Sequence, residues 1–123
     1  MIYTIDTCGS SKYIDTRFCM VQEKLVTRSE LFGVRCCSDT VIPTWIKRKS
    51  CKVWANSNMN GCHLNKTWLE AKAVCEEAGA RLCTTEEMVN DCTRATGCGL
   101  SKGFVWTSSF IIASSKEPAN ASL

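Results

Sequence analysis

The residues with most chemistry to offer are the ten cysteines, Cys8, Cys19, Cys36, Cys37, Cys51, Cys62, Cys75, Cys83, Cys92 and Cys98, in a chain of 123 residues. Closely spaced thiolates hold zinc, whereas an even set scattered along a small chain forms disulfides in an oxidising compartment. No Cys-x2-Cys pair is present and His63 is the single histidine, so the spacing is that of a disulfide framework, and no metal or other cofactor is expected. The adjacent pair Cys36-Cys37 leaves two arrangements open. One is a vicinal or redox-active bridge; the other places the two side chains on opposite faces of a strand, bridging to different partners.

Other polar groups offer less. His63 has no carboxylate or serine motif placed beside it, so it is expected as a surface or hairpin residue rather than a general base, and no enzymatic activity is expected. Lys47, Arg48 and Lys49 with Lys52 form the densest basic patch. Such a patch can hold a sulfated glycan or another polyanion by charge, or simply be a solvated loop. The formal net charge of +3 creates no dominant basic field, and no nucleic-acid-binding motif is present, so no nucleic-acid partner is expected. Asn65-Lys66-Thr67 and Asn120-Ala121-Ser122 are glycosylation sequons, making Asn65 and Asn120 candidate acceptors.

Length and composition bound the class. Hydrophobic residues make up 45% and charged residues 22% of the chain, which excludes wholesale disorder and fits one modest core. No apolar run is long enough to cross a bilayer. The stretch from Met1 to Asp6 is neither a basic leader nor followed by an apolar region, so a secreted or extracellular location is inferred from the cysteines alone. A fragment of a larger multidomain protein and a mature product both fit.

The elements that must position these groups are legible from residue 51 onward. Leu31 to Cys37 reads as a short buried strand ending at Ser38-Asp39, and Pro43 with the basic run marks a loop that carries Trp45. Cys51 to Trp54 reads as a strand, Asn56 to Gly61 as a turn, and Cys62 to Leu64 as the return strand; a Cys51–Cys62 bridge would close that hairpin at its base. Thr67 and Glu70 form a capping box for a helix over 67–78, with Trp68, Ala71 and Cys75 facing the core and Gly79 ending it. Arg81 to Cys83 is a short strand. Thr84 and Glu87 then start a second helix, striped by Met88, Cys92 and Ala95 and ended at Gly97, and Phe104 to Thr107 is a further strand. Trp54, Trp68 and Trp106 are expected to fill the core.

This order of hairpin, helix, strand, helix, strand resembles the first half of a C-type lectin-like domain. The resemblance rests on Cys51 and Cys62 around Trp54, similar to the N-terminal hairpin of long-form members, and on Thr67-Trp68-x-x-Ala71-x-x-x-Cys75, similar to the first helix. Gly79-Ala80-Arg81-Leu82 with Glu87, and Val105-Trp106, extend it over residues 51–106; the Link module shares part of the pattern. The implied fold is α+β, a small disulfide-rich domain with two helices packed on short antiparallel strands. The family's final strand, with the cysteine that pairs with the first helix, is missing downstream, but Phe32-Gly33-Val34-Arg35-Cys36 looks like it. The resemblance therefore implies a bridge from Cys75 to Cys36 or Cys37, the other of the two reaching Cys8 or Cys19.

Two organisations follow. In a circularly permuted domain, residues 1–40 supply the final strand, 41–107 the core and 108–123 a polar tail; in a tandem array, 1–40 would end a preceding repeat. Glu117-Pro118-Ala119-Asn120 is an interrupted near-match to the family's calcium-dependent sugar loop and its Trp-Asn-Asp strand is absent, so no calcium site is expected. The resemblance implies an extracellular binding or adhesion module, a glycoprotein recognising glycan or extracellular protein without calcium. A cross-linked structural unit of a matrix or adhesive array is the alternative. Gly79 to Glu87 also distantly resembles a segment of the formylglycine-generating enzymes, whose catalytic cysteines have no counterpart here.

Overall fold

The computed structural model describes residues 2–113. Its strands are β1 (Ile2–Cys8), β2 (Glu23–Thr27), β3 (Cys36–Ser38), β4 (Ile46–Lys47), β5 (Trp54–Asn56), β6 (Arg81–Leu82), β7 (Phe104–Val105) and β8 (Phe110–Ile112), and its helices are α1 (Trp68–Glu77) and α2 (Thr85–Val89). The strands form two four-stranded antiparallel sheets: β2-β1-β7 with β8 also on β1, and β4-β5-β3-β6. The fold is thus a disulfide-rich α+β one. Among the described residues no helix is long and apolar enough to cross a membrane.

Both helices begin where local chemistry says they should. At α1, the Thr67 hydroxyl accepts from the Glu70 amide while the Glu70 carboxylate accepts from the Thr67 amide at 2.9 Å. Thr84 and Glu87 repeat the box at α2, the Thr84 amide donating to Glu87 at 2.8 Å. Each box satisfies two amides that a helix start otherwise leaves unpaired. The second helix is shorter than its apolar stripe suggests and stops at Val89, because Asp91 and Ala95 take left-handed backbone conformations that interrupt it.

All ten cysteines are bridged: Cys8–Cys19, Cys36–Cys75, Cys37–Cys83, Cys51–Cys92 and Cys62–Cys98. Side chains alternate across a strand, so Cys36 and Cys37 on β3 face opposite ways. Cys36 enters one core with Val26, Val34, Ala71, Leu82 and Trp106, and Cys37 enters the other with Val53, Ala55, Met88 and Val105. One sheet is thereby stapled to α1 on one face and to the segment leading into α2 on the other. Cys37 does not reach Cys8 or Cys19, which close a loop of their own.

The expected Cys51–Cys62 hairpin does not form. Strand β5 is flanked by β3 on one edge and β4 on the other, which leaves no edge for a return strand. The turn after it is tight instead, with a single bridge between Asn58 and Cys62. Cys51 points inward with Val53 and Ala55 while Cys62 stays at the surface, so they pair with Cys92 and Cys98, 41 and 36 residues away.

Residues 1–40 pack with the rest of the chain. β1 pairs with β7 and β8, and β3 with β5 and β6. β8 lies in the stretch expected as a polar tail. The Arg28 guanidinium stacks 3.6 Å from the Trp68 ring centroid, and its Nε donates to Thr4 Oγ1 at 3.2 Å. Trp106 is fully buried, edge-on to Phe32 at 5.2 Å, and donates its indole N–H to the Lys66 carbonyl at 2.6 Å. Trp54 and Trp68 are only half-buried.

Candidate binding groove

A groove of about 410 Å³ opens between the β4 loop, the turn after β5 and the C-terminal end of α1. Its polar wall is Thr44, Trp45, Asn56, Asn58, Asn60, His63 and Glu77, and Met59, Val74 and Ala78 supply apolar surface. That volume and mixture fall in the range of small-ligand sites.

Trp45 is held at the rim by a turn. Its amide donates to the Ile42 carbonyl at 3.0 Å, with Pro43 and Thr44 between them. Proline presets the first central position, but Thr44 sits at φ +73°, where glycine is the usual occupant. A β-branched residue there costs ~1–3 kcal/mol, and such strain concentrates at binding sites. On the other side Trp45 packs against the core cluster around Trp106, so the indole is half-buried and anchored rather than loose.

The opposite wall is a self-bonded turn. The Asn56 side chain donates to the Asn58 carbonyl at 3.1 Å and accepts from the Asn58 amide at 3.0 Å; the Asn58 side chain accepts from Gly61 at 2.7 Å. The left-handed backbone of Asn60 at φ +57° and Gly61 at φ +120° completes it. One ring nitrogen of His63 lies 3.0 Å from the Met59 carbonyl. Among the described residues, the Trp45 indole N–H, the Asn60 amide and the Glu77 carboxylate have no hydrogen-bond partner. The Thr44 hydroxyl, the Asn58 side-chain NH2 and the second ring nitrogen of His63 are also without a partner, so the groove offers several donors and acceptors and one anionic acceptor beside an aromatic face.

The basic patch is not part of this groove. Lys47 lies on β4, and Lys47, Lys49 and Lys52 are exposed. Arg48 is half-buried and donates to the Arg94 carbonyl, so it is committed to holding its loop. Asn65 is exposed next to the α1 cap, and the Thr67 hydroxyl of its sequon accepts from Glu70. Asn120 and the Glu117–Asn120 near-match lie outside the described residues.

Buried charge sits elsewhere. Arg35, fully buried, donates to Ser57 Oγ at 2.8 Å, the Gly9 carbonyl at 2.7 Å, Thr93 Oγ1 at 3.3 Å and Ser101 Oγ at 3.2 Å. Burial lowers its pKa to about 10, the positive charge of Arg48 adding to the effect. Arg81 bridges Glu87 and Asp39 through paired contacts of 2.8–3.1 Å, joining β6 to α2 and to the end of β3. Burial raises the Glu87 pKa, but Arg81 and the Thr84 cap more than offset it and hold the group below the usual carboxylate range. Among the described residues, Cys37, Cys83 and Glu87 are grouped closely enough to share a metal ion. The two sulfurs are bonded to each other and Glu87 is held by Arg81, so the group presents no thiolate.

A loop carrying Trp45 and a turn over Asn56 to Gly61 are legible in the sequence, but no local signal places Glu77, at the end of α1, in the same groove. The chain matches no protein-family model, no curated protein and no solved structure.

Proposed function

We propose that the chain is an extracellular binding module of the C-type lectin-like type, acting without calcium, and that its ligand is a glycan seated in the Trp45–Glu77 groove. The observation that carries this reading is the groove wall itself: an anchored indole beside an amide and a carboxylate whose hydrogen-bonding capacity the protein leaves unused. Sugars present the matching surface, an apolar C–H face and a ring of hydroxyls that both donate and accept. Two capped helices in the expected order and the Cys36–Cys75 bridge support the lectin-like assignment; the long-form hairpin contributes nothing to it. One ring nitrogen of His63 is engaged by the Met59 carbonyl, and the role proposed for the groove is binding.

Five disulfides in a small chain also suit the second reading, a cross-linked unit of a matrix or adhesive array. A glycan array probed with oxidised protein, with and without a calcium chelator, separates the two. Retained glycans should be insensitive to the chelator and lost on Asn60→Gly, which removes the exposed amide and keeps the left-handed backbone of the turn. Absence of any retained glycan would reject the groove reading in favour of the structural one.

A further inference from the structure

We infer that the groove selects uncharged saccharides and that Glu77 sets this selectivity, an inference that rests on the glycan-binding reading above. The four residues of the basic patch, Lys47, Arg48, Lys49 and Lys52, are absent from the groove lining, although β4 runs directly from Trp45. Among the described residues, Glu77 is the one carboxylate that lines the site, and no lysine or arginine lines it. Glu77 is also the last residue of α1, and Ala78 beside it lines the same wall. The carbonyl end of a helix carries partial negative charge, which adds to that of the carboxylate.

A sulfated or carboxylated sugar entering here meets a negative field with no cation to compensate it, the repulsive element that discriminates between otherwise similar ligands. A neutral sugar meets the reverse. The Glu77 carboxylate accepts from two neighbouring hydroxyls, a charge-assisted arrangement stronger than a neutral one. The Asn60 amide donates to one hydroxyl and accepts from another, and the indole covers the C–H face. The lysines outside the groove attract polyanions by charge alone, without this geometry.

The test uses the oxidised chain on immobilised neutral polysaccharides (mannan, a β-glucan, a galactan) and on acidic ones (heparin, alginate), at fixed ionic strength. Four proteins are compared: wild type, Glu77→Gln, Asn60→Gly, and a triple Lys47→Ala, Lys49→Ala, Lys52→Ala variant. Wild type should retain a neutral polysaccharide. Glu77→Gln should weaken that binding by about tenfold or more, with an unchanged urea midpoint because the residue is exposed, and the lysine variant should keep it. An acidic polysaccharide bound more tightly than every neutral one and lost on Asn60→Gly would overturn the inference while leaving a glycan in the groove. Acidic binding alone, lost only in the lysine variant, would likewise overturn it. No binding to any polysaccharide would reject the glycan-binding reading itself.

Discussion

Asp6 gives the sharpest test of how burial acts in this protein. It lies at the middle of β1 with no exposed surface, and neither carboxyl oxygen makes a well-formed hydrogen bond, the Thr107 amide being its nearest donor. Its cross-strand neighbour is Lys24, whose ammonium is drawn over the Phe104 and Phe32 rings at 4.4 and 4.9 Å. Burial drives the carboxyl's pKa up to about 8; the charge of Lys24 and the backbone amide of Thr107 oppose it, and the charge of Glu30 adds to it. The folded protein therefore holds Asp6 neutral at pH 7, and folding takes up a proton whenever the unfolded carboxyl is ionised. Stability from this group is fully present below about pH 4 and is lost as pH rises towards 8, where it levels off. A displacement of about four pH units corresponds to ~5–6 kcal/mol over that interval. The attraction of Lys24 is already contained in that displacement, so a loss of ~5–6 kcal/mol is expected across the interval. Asp6→Asn keeps the shape without the charge. Urea unfolding followed by tryptophan fluorescence between pH 4 and 9 should show the decline in wild type and a flatter profile in the variant, which becomes the more stable protein above pH 7. Parallel profiles for the two proteins would refute the argument, because the carboxyl would then be ionised at no cost.

Three further outcomes follow from the packing. Arg35→Lys keeps the charge but cannot reach Gly9, Ser57, Thr93 and Ser101 together, and should cost ~3 kcal/mol in urea unfolding, since buried acceptors lose their donor. Thr67→Ala removes the α1 cap and should lower stability by ~1 kcal/mol, read as a shift in the urea midpoint at unchanged slope. Peptide mapping of oxidised protein should recover Cys51 with Cys92 and Cys62 with Cys98 and no Cys51–Cys62 peptide; the double variant Cys51→Ala, Cys92→Ala should lose ~4 kcal/mol on the chain-entropy view, its bridge spanning 41 residues.

What the sequence determined by itself is whatever four or five neighbouring residues decide among themselves. The capping boxes at Thr67 and Thr84 are reciprocal bonds between positions three apart, so the order of residue types is enough to fix where both helices start. The turn at Asn58 to Gly61 is likewise local, built from asparagine side chains bonding their own backbone. The number and spread of the cysteines were enough to announce disulfides. Which cysteines met was another matter. Cys51 and Cys62 look like the base of a hairpin until both edges of β5 are taken by β3 and β4, and edge occupancy is a property of the assembled sheet. Cys36 and Cys75 lie 39 residues apart and meet because α1 packs on the face of β3 that Cys36 occupies. Arg35 and Asp6 carry no local signal of burial, since a charged residue in a short strand is ordinarily solvated; only the closing of Gly9, Ser57, Thr93 and Ser101 around one, and of the β1 sheet over the other, removes them from water. The groove belongs to the same class. Trp45, Asn60 and Glu77 sit on three separate segments, and packing of the tertiary structure brings them to one opening.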